Sequence, residues 1–245
     1  DGTFVLTVSI ADVSYYVTEN SEMDKEAFER GTSVYLTDRV VPMLPQRLSN
    51  GICSLHPYEE RLTLTARMEI DRSGTIYQHE IFPSVIQSNE RLTYDEVNVL
   101  FNTNEASEKI TPEIAEMLWN MKELHTILER RRMERGAERL IESFMLAANE
   151  TVARHYEQLK VPFIYRIHEN PDSEKLQRFL EFITAFGITI KGKNDSITPK
   201  KLQKALSEVR GEPYEAVVST MMLRSMKQAK YDITPTGHYG LAAED

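Results

Sequence analysis

Residues 62–70, LTLTARMEI, alternate apolar and polar without a break, and Asp71-Arg72-Ser73-Gly74 then carries the chain into residues 75–81. A period of two puts successive side chains on opposite faces of a strand, and a Ser-Gly turn reverses its direction. The pair therefore predicts an antiparallel hairpin. Residues 3–10 alternate as well, with Phe4, Leu6, Val8 and Ile10 on one face and Val5, Thr7 and Ser9 on the other, predicting a half-buried strand. Asp24 reads as the N-cap of a short helix. Thr93-Tyr94-Asp95-Glu96 has the form of a capping box, and Thr111-Pro112-Glu113 opens a longer helix with Ile114, Met117, Leu118, Met121, Leu124 and Leu128 on one stripe.

A helix over 138–159 follows, with an apolar stripe of Ile141, Phe144, Met145, Ala148, Val152, Tyr156 and Leu159. A short strand is expected at 163–167, then helices over 173–186, with Gly187 just past the end, 199–209 and about 214–230. Strands precede helices, which predicts an α+β fold: an antiparallel sheet with a helical C-terminal half, in one large domain. The 245 residues suffice for a large core, and no repeat, linker or low-complexity segment divides them.

The single cysteine, Cys53, allows no internal disulfide and suits a reducing compartment. The first residues, DGTFVLTVSI, lack a secretion signal, and no apolar run approaches the roughly 18 residues that span a bilayer. The expectation is a cytoplasmic protein with no membrane partner. A net charge of −9 argues mildly against nucleic acid. Screening confines each charge to roughly 10 Å, however, so a local basic patch can override the total.

Most familiar chemical signatures are absent. Residues 187–193 have phosphate-loop spacing, but Asn194 replaces the Ser or Thr and a helix replaces the preceding strand. There is no Gly-x-Ser-x-Gly and no His-Glu-x-x-His, and the six histidines show no ligand spacing, so structural or solvated roles suit them. Glu142 and Asn149, seven apart, nearly superpose at the border of the 138–159 stripe, where both solvation and function are open. Tyr35 reads on composition as a core aromatic. Arg130, Arg131, Arg132 and Arg135 either grip phosphates or form a solvated helix end. Asp12 reads as a hydrogen-bonded strand-end carboxylate, with a metal-ordering role as the alternative.

Within residues 9–55 the segments IADVS, RGTSVYL, PMLP and LSNGICSL follow one another at set spacing. This run resembles the catalytic (RNB) domain of the ribonuclease II and ribonuclease R family. The likeness continues through RLIESFMLAANE (139–150), Tyr165-Arg-Ile-His168-Glu-Asn-Pro-Asp172, LRSMKQAKY (223–231) and GHYGLAAE (237–244), nearest to the ribonuclease R branch. It covers essentially the whole chain.

The resemblance implies a 3′-to-5′ exoribonuclease that hydrolyses RNA from a single-stranded 3′ end to nucleoside 5′-monophosphates. It implies magnesium as cofactor, Glu142 as an active-site carboxylate and Tyr35 stacked on a base near the RNA 3′ end. Arg130, Arg131 and Asn149 join Tyr35 as expected RNA contacts. The family's aspartate cluster belongs before residue 1 and its arginine segment after residue 245, so no metal ligand is assigned within this chain. A further family segment is expected between the Arg-rich helix and residue 138, where Gly136-Ala137 stands instead. Residues 1–245 are accordingly expected to be the central part of the domain, to bind RNA weakly and not to hydrolyse it. The alternative is a non-catalytic RNA-binding or scaffolding relative.

Overall fold

A computed structural model describes residues 2–130, 138–190 and 197–239. Its packing divides into two compact units, Asp1–Val152 and Ala153–Asp245. The division falls inside a helix, which is why no linker composition marks it in the sequence. The first unit runs β1 (Phe4–Ala11), α1 (Glu22–Arg30), β2 (Val34–Tyr35), β3 (Val40–Val41), β4 (Glu60–Ile70), β5 (Ile76–Gln87), α2 (Tyr94–Thr103), α3 (Pro112–Arg130) and most of α4 (Glu138–Leu159).

β4 is the middle strand of an antiparallel sheet ordered β1-β4-β5. The hairpin is longer than its alternating run: β4 and β5 pair from Glu60↔Gln87 to Ile70↔Ile76, with a bulge between Glu69 and Ile70. At its turn the Asp71 carboxylate accepts from the backbone N–H of Ser73 (2.8 Å) and of Thr75 (2.9 Å).

One sheet face is apolar. Leu6, Ala66, Met68 and Ile70 are buried in a common core with Leu124 of α3 and Leu140, Phe144, Ala147 and Ala148 of α4. The other face carries a ladder of hydroxyls. Ser9 Oγ lies 2.8 Å from Thr65 Oγ1, Thr65 Oγ1 lies 2.5 Å from Ser84 Oγ, and Ser84 Oγ lies 2.7 Å from Thr63 Oγ1. Thr63 and Thr65 are buried, and a buried hydroxyl without a partner costs about 1–3 kcal/mol. Here each has one.

α3 and α4 are pinned by a buried polar group. His125 of α3 is 7 % exposed, with Nδ1 3.0 Å from Ser143 Oγ of α4 and Nε2 3.4 Å from Glu129 Oε2. Burial pulls its pKa below the usual histidine value, against the opposing pull of Glu129.

Two sequence expectations in this unit are corrected. Ser21, not Asp24, caps α1: its side chain accepts from Asp24 N–H at 3.2 Å, while Asp24 reaches back to Asn20 N–H at 2.8 Å. Both residue types cap helices; the left-handed Asn20 (φ 62°) just before Ser21 decides where the helix begins. The buried stripe of α4 is also rotated, comprising Leu140, Phe144, Ala147, Ala148 and Thr151, whereas Ile141 is exposed.

The second unit continues with β6 (Tyr165–Ile167), α5 (Ser173–Thr184), α6 (Pro199–Glu208), α7 (Glu215–Ser225) and β7 (Lys230–Asp232). Its core joins Leu176, Phe179 and Ile183 of α5 with Leu202 and Ala205 of α6 and Val218 of α7. The helix expected over 214–230 is corrected. It stops at Ser225, Met226 turns extended (φ −78°, ψ 150°), and β7 pairs antiparallel with β6, Tyr165↔Asp232 to Ile167↔Lys230. A strand of three residues has no measurable period, so helix propensity carried the expectation too far. The architecture is α+β with antiparallel sheets.

Candidate functional site

α1 ends on Gly31, whose left-handed backbone (φ 67°) a residue with a Cβ adopts only under strain. The chain then folds into the β2–β3 hairpin, Val34↔Val41 and Tyr35↔Val40, closed by Leu36 N–H to Arg39 O at 2.8 Å. Two bonds fix its base: Arg30 Nη1 donates to Pro42 O at 3.0 Å, and Met43 N–H donates to Ser33 Oγ at 2.9 Å. Beyond Pro45 a π-helical segment, Arg47–Ile52, buries Leu48.

On this platform Tyr35 is 78 % exposed, so its reading as a core aromatic is overturned. Val34, Leu36, Val40 and Val41 are exposed with it, and Phe28 on α1 is 87 % exposed. Apolar side chains gathered on one exposed segment mark an interaction surface. Sequence reasoning missed Phe28, whose signal is a large aromatic in a helix otherwise rich in Glu, Asp, Lys and Arg.

Glu142 and Asn149 are both exposed. Relative to the buried Phe144, at 100° per residue they project roughly 160° and 140° away. They therefore sit nearly opposite the buried stripe and not at its border. The two are separated by roughly 10 Å along the helix axis. Arg130 is exposed at the end of α3. Arg131, Arg132, Arg135 and the Gly136-Ala137 junction lie outside the described residues. No hydrogen bond, ion pair or ring contact joins Tyr35, Arg130, Glu142 and Asn149 to one another.

Asp12 is a strand-end cap, as expected: its carboxylate accepts from Ser14 Oγ at 2.5 Å and from Tyr15 N–H at 3.2 Å. Nearby, burial pushes the Cys53 thiol pKa up and the Asp12 charge adds to that, so the sulfur is held as a thiol. Among the described residues no group of three or more His, Cys, Asp or Glu is placed to hold a metal ion. The described residues thus do not fit a magnesium site, and no step through a metal follows from them. No helix among them is long and apolar enough to cross a membrane.

The RNB domain family matches residues 1–140 and 134–245. This chain belongs to the RNB domain family. Ribonuclease R 1 of Lactococcus lactis subsp. lactis (strain IL1403) is 49 % identical over 274 aligned positions, covering 100 % of this chain and 34 % of the relative. The chain thus spans about a third of that relative's length. The two RNB stretches overlap over residues 134–140.

The RNase R of Mycoplasma genitalium, in complex with ribose methylated single-stranded RNA, superposes with a TM-score of 0.91 at 30 % identity, over 98 % of this chain and 42 % of that one. Yeast Ssd1, a pseudonuclease, shares the RNB fold with a TM-score of 0.82 at 21 % identity, over 99 % of this chain and 33 % of its own. Its likeness extends to the fold alone.

Proposed function

We propose that this chain forms the RNA-holding part of a 3′-to-5′ exoribonuclease that hydrolyses single-stranded RNA to nucleoside 5′-monophosphates in the cytoplasm, with magnesium as cofactor. The observation that carries the reading is the 49 % identity, over the whole chain, to a ribonuclease R. In the protein at work, the exposed Tyr35 ring offers a base a stacking partner. A π-face suits an enzyme that must accept every base, since stacking is worth about 1–3 kcal/mol per base with little sequence preference. Arg130, Arg131 and Asn149 contact the RNA, and Glu142 is the carboxylate assigned to the active site. The single Cys53 fits a reducing compartment.

A second reading, RNA binding without catalysis, is favoured by the lack of a metal-ligand group among the described residues. Both are tested by incubating the 245-residue chain with magnesium and end-labelled RNA carrying a single-stranded 3′ end. We expect binding without turnover from these residues alone. Magnesium-dependent release of nucleoside 5′-monophosphates from the 3′ end would overturn that expectation and establish catalysis within the chain. Failure to bind any RNA would overturn both readings.

A further inference from the structure

An open cleft of about 710 Å3 lies in the second unit, lined by residues from the start of α5, the end of α7 and the segment that follows α7. Its volume falls within the roughly 300–1,000 Å3 of small-ligand sites. Its walls are held in place. α5 and α7 share the core of Leu176, Phe179 and Val218, and His168 Nε2 lies 2.7 Å from Lys227 O, tying the segment after α7 to the end of β6.

The charges in the cleft are unevenly committed. Glu169 is occupied by Lys227 Nζ at 3.1 Å and Lys230 Nζ at 3.4 Å, and the Lys227 hydrogen bond foremost holds its pKa below the usual carboxylate range. Asp172 caps α5, accepting from the backbone N–H of Glu174 and Lys175. Glu169 is thus ion-paired, whereas Asp172, its pKa held down foremost by the Lys175 backbone N–H, keeps its negative charge and also attracts the Lys175 ammonium. Lys175 and Arg224, which also line the cleft, are in no ion pair among the described residues. Lys175, Arg224 and Lys227 against Glu169 and Asp172 leave the lining one positive charge in excess, in a chain with net charge −9.

The same cleft has an apolar wall. Leu223 is 69 % exposed, although its neighbours Met221 and Met222 pack against the core, and Met226 lies beside it. An excess cation, with Arg224 in no ion pair among the described residues, beside an exposed apolar side chain matches a ligand that is anionic at one end and apolar at the other. Inorganic phosphate would leave Leu223 unexplained.

We propose that this cleft binds one nucleotide unit of single-stranded RNA, its phosphodiester on Arg224 and Lys175 and its base against Leu223. The inference rests on the RNA-holding reading above and deepens it, adding a contact site in the second unit.

The test is a fluorescence-anisotropy titration of a labelled single-stranded RNA dodecamer with the 245-residue chain over a series of salt concentrations. For single strands each phosphate neutralised contributes about 0.7 to the slope of log K against log salt. Arg224→Gln and Lys175→Gln should each weaken binding several-fold at low salt and lower that slope by about 0.7. Leu223→Ser should weaken binding and leave the slope unchanged, and Arg224→Lys should retain it. Lys109→Gln removes an equal charge from a surface pair with Glu96 in the first unit and should alter neither quantity. Melting temperatures of the variants confirm that each is folded.

If the wild-type chain binds RNA and the cleft variants keep its affinity and slope, the inference is overturned while the RNA-holding reading stands. If the wild-type chain binds no RNA, both fall. If polyglutamate of equal charge binds the wild type but not Arg224→Gln, while the two bind RNA equally, the cleft docks an acidic protein segment, and the inference is likewise overturned.

Discussion

Tyr35 and His125 are opposite cases of one residue doing one job. The Tyr35 ring is almost wholly in solvent, so the fold gains little from it. Tyr35→Ala should therefore change stability by no more than about 0.5 kcal/mol in a thermal melt. It should weaken RNA binding by about 1–3 kcal/mol in a titration, and Tyr35→Phe should restore the affinity. His125 faces Ser143 and Glu129 from within the packing of α3 and α4, and burial depresses its pKa. The unfolded chain therefore takes up a proton near pH 6.5 that the folded chain resists, and the stability contributed by neutral His125 is lost as pH falls through that value. Urea midpoints of wild type and His125→Asn should differ at pH 8 and converge toward pH 5. The pairing of Glu142 with Asn149 was legible in the sequence because helical geometry fixes residues seven apart. Their outward direction was not, because Ile141 looks like a core residue and is exposed.

The elements were legible where a period had room to show itself. β4, β5, α3 and α4 run 11, 12, 19 and 22 residues; β4, α3 and α4 were anticipated within a few residues, whereas β5, expected over 75–81, continues to Gln87. β2, β3 and β7 have two or three residues, too few for a period to show, and only their pairing defines them. Caps were legible as a type more than as a position. Thr93 and Glu96 form the capping box as expected, whereas Ser21 and Asp24 exchange roles. Among the short elements, α1 depends on Gly31. A Cβ there meets nothing within 4 Å, so the cost of substitution is purely that of the left-handed backbone. Gly31→Ala should destabilise by about 1 kcal/mol in urea denaturation, with Gly31→Asn losing less.

For the whole molecule, the two cores predict where damage concentrates. Phe179 is essentially without exposed surface in the second unit, as Met68 is in the first. Phe179→Ala should cost about 3–5 kcal/mol and Met68→Ala about 2–5 kcal/mol. Amide exchange should accelerate chiefly in α5, α6 and α7 for the former and in β1, β4 and β5 for the latter. The net charge also misleads at this scale, because a total of −9 coexists with a cleft lined by three cations and two carboxylates. The hydroxyl ladder across β1, β4 and β5 has a consequence for how the chain finds its shape. Alternation alone cannot tell the native alignment of β4 with β5 from one slipped by two residues, since either keeps the apolar side chains on one face. The hydroxyls can. A slip that sets Phe82 in place of Ser84 opposite Thr63 removes the 2.7 Å partner of a buried hydroxyl and leaves it only the longer contact with Thr65. Ser9, Thr63, Thr65 and Ser84 thus act as the teeth of a key, admitting a single alignment of a long hairpin whose apolar spacing would accept several.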